Sequence, residues 1–70
     1  MMANIIEAIQ ARCNELRDVY LPIYDELPEH AGVFAATMIR QSIKNAEAAI
    51  ASGDAVECVA ALKYLQEYKL

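Results

Sequence analysis

Three observations predict an all-α fold, a small antiparallel bundle of three helices. Apolar residues recur three and four apart along nearly the whole chain, no stretch alternates with the period of a strand, and turn chemistry is confined to a few short segments. With 70 residues, the chain forms one domain, residues 1–70, close to the size below which a single core stops being self-sufficient.

The first helix opens at Asn4, a residue suited to capping, with Glu7 three positions on where a capping-box side chain reaches back. Its apolar seam is Ile6, Ile9, Cys13, Leu16, Tyr20, Ile23 and Leu27, extended backward by Met2, and it has the 3.5-residue period of a helix facing one neighbour. Pro22 falls inside this seam. It lacks an N–H, and its ring crowds the carbonyl four residues back. The first helix is therefore either kinked at Pro22 or broken at Leu21 and followed by one more turn on the same side.

Asp25 to His30 makes the first connection, with Pro28 at a helix start and acidic residues beside the positive end of the helix dipole. The second helix is expected from Pro28 to Ala51. It carries two apolar stripes, one of Ile39, Ile43, Ala46 and Ile50, the other of Phe34, Ala35, Met38 and Ala49. Its polar edge is limited to Thr37, Arg40, Gln41, Lys44 and Glu47. A helix this apolar belongs at the centre of a bundle, with its own chain on one side and a partner on the other. Gly32, with Ala31, Ala35 and Ala36, forms a small-residue surface suited to a close helix crossing.

Ser52-Gly53-Asp54 is the strongest local signal. Gly53 suits the left-handed residue after a helix end, Asp54 suits the next cap, and Glu57 again follows at three. A helical hairpin results. The third helix, from Ala55 to about Lys69, turns Cys58, Ala61, Leu62, Leu65 and Tyr68 to the core, with Tyr64 and Tyr68 along its border.

Composition excludes several functions. The formal net charge is −4, and the six basic residues are scattered singly, so the concentrated basic face that phosphates require is missing. Direct nucleic-acid binding is disfavoured. A helix-turn-helix reading fails the same test, because the third helix offers Glu57, Lys63, Gln66, Glu67 and Lys69 with no net positive charge. No run approaches the ~18 apolar residues of a membrane span, and no secretory leader is visible. A soluble, cytoplasmic protein is expected. Cys13 and Cys58 read as two reduced core thiols.

The chain also lacks the pieces of an enzyme. His30 is the single histidine and sits in a turn, neither cysteine neighbours a basic residue at a helix start, and no phosphate loop or metal motif occurs. Asp25, Glu26, Glu29 and His30 could form a metal or acid/base cluster, but helix-start chemistry is a sufficient explanation. No catalytic residue, metal ligand or cofactor is expected.

The opening MANIIEAIQARCNELRD (Met2 to Asp18), the turn ELPEHAG (Glu26 to Gly32) and the block MIRQSIKNAEAAIASGD (Met38 to Asp54) resemble the small helical proteins encoded in the accessory and early regions of temperate, lambda-like phages and prophages of enteric bacteria. The resemblance implies a role after infection or induction, in which the protein binds a host protein and modifies or inhibits it.

Together these readings lead to a non-enzymatic protein-interaction module that acts by occlusion and closes its core by homodimerisation, across the second helix or the first-helix seam. Phe34, Met38 and Tyr64 or Tyr68 are the expected anchors, with Arg40 and Lys44 on the rim. The alternatives are a small nucleic-acid-associated regulator and a structural subunit folded only within a larger assembly.

Overall fold

The computed structural model describes residues 2–69, the side chain of Met2 excepted; the backward extension of the seam to Met2 therefore lies outside the described residues. The order is α1 (Met2–Glu15), a π-helical turn (Leu16–Tyr20), α2 (Leu21–Asp25), a 3-10 turn (Pro28–His30), α3 (Val33–Ser52) and α4 (Ala55–Gln66). No strand occurs among the described residues. The α1, π and α2 segments run on without a break, so the molecule is an all-α bundle of two long helices and a shorter third.

The helix is already formed at Met2, so Asn4 lies within its first turn and does not cap it. The seam follows expectation through Ile9, Cys13, Leu16 and Tyr20, all buried, and then departs from it. Ile23 and Leu27, expected in the core, are 44% and 41% exposed, while Leu21 is buried and Tyr24 half-buried in their place. The π turn is the cause. The Leu21 N–H donates to the Leu16 carbonyl, five residues back instead of four, and this wider turn advances the buried stripe by one position. It also accommodates Pro22, which follows directly. The helix passes through the proline and ends at Asp25, where the Glu26 N–H donates to the Pro22 carbonyl at 3.1 Å. Of the two expected paths, the chain takes the continuous one.

The second long helix begins later than expected. Pro28 opens only a 3-10 turn, and Glu29 and His30 then take left-handed φ values of 58° and 62°. These break the chain direction before Val33 starts α3. Gly32 occupies the tight crossing that its small neighbours predicted. A Cβ there would lie 2.0 Å from the Tyr24 carbonyl oxygen, in backbone that has no rotamer by which to move away. At the other end Gly53 is left-handed (φ 72°), and Asp54 Oδ1 accepts from the N–H groups of Val56 and Glu57 at 2.9 and 3.2 Å. Glu57 does not reach back to the backbone of Asp54. Its carboxylate sits 2.9 Å from Ser52 Oγ, which accepts the Asp54 N–H at 3.2 Å.

In the interior, Ile39, Ile43 and Ala46 of α3 meet Cys58 and Leu65 of α4 and the first-helix seam. Among the described residues, three of the twelve buried apolar residues are alanines and two are cysteines, both free. Helix α4 packs against both long helices, and α2 lies against α3.

One cation fastens the open end of the bundle. Arg12, with a side chain only 15% exposed, donates through Nε to the Leu65 carbonyl (3.0 Å) and through Nη2 to that of Tyr68 (2.7 Å). Its Nη1 reaches Tyr20 Oη at 3.3 Å and pairs with Glu15. The guanidinium carbon lies 4.9 Å from the centre of the Tyr20 ring. Burial disfavours the charge, but the bonds to Tyr20 and Glu15 outweigh it and hold the guanidinium pKa above its ordinary value. Tyr20 and Tyr24 hydroxyls approach the Tyr68 and Lys69 carbonyls at 3.4 Å each, completing the tether.

Two stability measurements check this account by urea titration. Gly32→Ala is expected to lose about 2 kcal/mol or more, because overpacking against backbone adds to the poorer capping of α3 by alanine. Arg12→Lys is expected to lose about 2 kcal/mol despite conserving the charge, because a lysine cannot serve two carbonyls in fork geometry.

Candidate functional site

Three grooves and one turn contain the polar and exposed groups from which a site can be built. The first groove lies between α1 and α3, lined by Gln10, Cys13, Asn14, Arg17, Glu47 and Ile50. Arg17 Nη2 donates across it to Glu47 Oε2 at 3.0 Å, both side chains about half exposed, so the pair adds little to stability. The Cys13 thiol at its floor is buried. Burial pushes its pKa above the ordinary thiol value, Arg17 opposing and Glu47 reinforcing the shift. A thiol held protonated in this way is a poor nucleophile.

The turn carries Asp25, Glu26, Glu29 and His30, all exposed. Among the described residues no three His, Cys, Asp or Glu side chains are grouped to hold a metal. Asp25 is instead engaged by Arg40, whose Nη2 donates to Asp25 Oδ2 at 2.8 Å and ties α3 to α2.

The remaining grooves lie along α3 and α4 and run into one another. Met38, Gln41, Ser42, Asn45, Ala61 and Tyr64 line one, and Asn45, Ala48, Ala49, Glu57, Ala60, Ala61 and Tyr64 line the next. Large apolar side chains in and beside them are open to solvent. Phe34 is 77% exposed, Tyr64 66% and Met38 48%. Farther along α4, Val56 and Val59 continue the apolar surface.

The expected anchors are therefore only partly grouped. Met38 and Tyr64 share a groove, and Phe34 stands one turn before Met38 on the same face of α3. Tyr68 is half-buried and contributes below them, its hydroxyl 2.7 Å from Ser42 Oγ and its carbonyl bound by Arg12. Arg40 and Lys44 are placed elsewhere. At about 100° per residue Arg40 points some 160° away from Met38, and Lys44 about 120°; Arg40 is already paired with Asp25. The second apolar stripe also divides, with Ala49 buried, Ala35 half-buried, and Phe34 and Met38 open.

Sequence reasoning missed the amide pair at the middle of this face, where Gln41 Nε2 donates to Asn45 Oδ1 at 3.0 Å. The i,i+4 spacing of a glutamine and an asparagine on a helix surface was the available signal. No helix among the described residues is long and apolar enough to cross a membrane.

In comparisons with known proteins, the chain matches no family model, no curated protein and no solved structure.

The state of Cys13 can be measured by alkylation and by the alkaline limb of stability. Native Cys13 is expected to react with iodoacetamide at least about 100-fold more slowly than in denaturant. The raised folded-state pKa makes its contribution to stability complete below the ordinary thiol pKa and lost as pH rises through the folded value. Cys13→Ala is expected to remove that part of the alkaline decline.

Proposed function

We propose that the protein is a non-enzymatic protein-interaction module whose working surface is the α3 and α4 face. A rigid helical face of this kind acts by occlusion, burying part of another protein's surface. The observation that carries the reading is the set Phe34, Met38 and Tyr64, exposed together on elements the core holds rigid. Contiguous exposed apolar patches mark contact sites, and aromatic anchors lose little conformational entropy on binding. The resemblance to phage accessory proteins adds a host protein as the target.

The test is retention of a defined protein, at stoichiometric yield, from a lysate of an enteric bacterium by immobilised wild-type chain and by a Phe34→Asp, Tyr64→Asp variant. Both positions are exposed, so the variant is expected to keep its helical circular dichroism while losing the partner at least about 100-fold. A partner retained equally by both would place binding on another surface, and no stoichiometric partner at all would overturn the reading.

A further inference from the structure

Two turns join the three helices, and they differ in what their backbone costs. At Ser52-Gly53-Asp54 the left-handed residue is a glycine, at φ 72°, with nothing within 4 Å of the place a Cβ would take. At Pro28–His30 the left-handed residues are Glu29 and His30, at φ 58° and 62°. Each carries a Cβ, which that conformation crowds against the following carbonyl. Both residues are exposed, so no burial offsets the strain.

The residues around this turn are already arranged for a straight path. Leu27 is extended at ψ 138°, as a residue before a proline and a helix start is, and Pro28 suits the first helical position. Ala31 and Gly32 have right-handed helical backbone and lead directly into α3. Glu29 and His30 alone interrupt it. With right-handed values at both, Pro28 to Ser52 becomes one helix, the span that apolar periodicity predicts, and Glu29 falls in its first turn where the dipole favours a carboxylate.

We infer that Glu29 and His30 are a strained hinge, and that its opening exchanges the first long helix between two copies of this chain. In the opened form that helix is carried away from its own α3–α4 hairpin. It does not stay undocked, because Ile9 and Leu16 of the first helix share one core with Ile39 of α3 and Leu65 of α4. The surface that fits it is the hairpin of a second copy, which presents the same side chains. Arg12 then binds the Leu65 and Tyr68 carbonyls, Arg17 the Glu47 carboxylate and Arg40 the Asp25 carboxylate between chains instead of within one. Closed and exchanged forms contain the same contacts, so the strain of two hinges is set against the entropy of association. A short hinge under strain is the condition that invites exchange. The α4 turn lacks that drive, since Gly53 has no strain to release and Asp54 is held by local bonds. The exchange leaves the α3 and α4 face within one chain, and is independent of the reading of that face.

The experiment refolds the full chain from denaturant at low micromolar and at millimolar concentration, followed by light scattering during size-exclusion chromatography and circular dichroism. The dilute product is expected at 7.8 kDa, and the concentrated product to include a helical species of twice that mass, favoured by mass action. Glu29→Gly with His30→Gly relieves the turn without opening it, and is expected to stay folded and to weaken the dimer at least about 100-fold, since glycine takes left-handed backbone freely. Deleting both residues leaves the turn too short to close and is expected to give dimer at both concentrations. Exchange is distinguished from surface association with Arg17→Lys, coupled to Glu47 by a carbodiimide after unlabelled and nitrogen-15 chains have been refolded together. In the dimer, peptides linked through positions 17 and 47 are expected to include pairs with one label of each kind. A wild type monomeric at both concentrations, a dimer whose linked peptides pair only like labels, a folded monomer from the deletion, or a glycine variant that dimerises as readily as wild type would overturn the inference. The glycine variant and the linked peptides decide by themselves where the deletion prevents folding.

Discussion

The structure depends on one accommodation, the π turn at Leu16–Tyr20 that lets the first helix carry Pro22 without ending. An ordinary α turn there would set the proline ring against a carbonyl four residues back and leave that carbonyl without a donor. The wide turn comes directly before the proline, and it changes which residues the helix buries. Tyr20 and Leu21 both enter the core, Tyr24 follows, and Ile23 and Leu27 turn to solvent. That end of the bundle is built from the last residue of the old register and the first residues of the new one. Tyr20 is placed beneath the Arg12 guanidinium and beside the Tyr68 carbonyl, and Tyr24 backbone is placed against Gly32, fixing where α3 crosses.

Arg12, reaching Tyr20 at the end of the old register, solves a second problem. Helix α4 is short, and its last carbonyls have no partners of their own. The guanidinium supplies donors to Leu65 and Tyr68 together, from a position one helix away, where a charge near a helix C-terminus is also favoured by the dipole. The hairpin end is closed by local means, Gly53 and the Asp54 cap; the open end is closed by a residue more than fifty positions distant. That asymmetry makes the two ends differ in what a substitution does. A change at Asp54 weakens one helix start, while a change at Arg12 releases α1, α4 and the terminal segment from one another.

The same contrast separates what was legible in the sequence from what was not. The Ser52-Gly53-Asp54 hairpin was legible because its interactions lie within a few residues, as was the Ile39, Ile43, Ala46 stripe, which keeps α-helical period throughout. Ile23 and Leu27 were misassigned because the period was assumed constant, and a π turn has no composition of its own to announce it. Pro28 resembled a helix start; two non-glycine residues in left-handed conformation after it leave no signature in sequence. Arg12 was one of six scattered cations until the fold brought Leu65 and Tyr68 to it. For the site, periodicity identified Phe34 and Met38 as apolar and Tyr64 as bordering, but which stripe the chain covers itself is a property of packing. Arg40 and Lys44 were grouped with them by nearness in sequence, whereas helix geometry sends them to the opposite flank.

Why α3 is left half uncovered follows from the size of its neighbours. Its inner face is built with Ala36, Ala46 and Ala49, which draw α4 close and leave room for few large side chains in the core. Helix α4 contributes only Cys58 and Leu65 to the fully buried set. A chain this short, with alanine or cysteine at five of its twelve described buried apolar positions, gains less from burial than one with leucine there. Two large side chains, Phe34 and Met38, are instead on the outer surface, 77% and 48% exposed. The α3 positions Phe34, Met38, Gln41, Asn45, Ala48 and Ser52 include no charged residue, and among the described residues the one carboxylate that touches them is that of Glu57, bonded to Ser52. A surface selected only for solubility would distribute charge evenly.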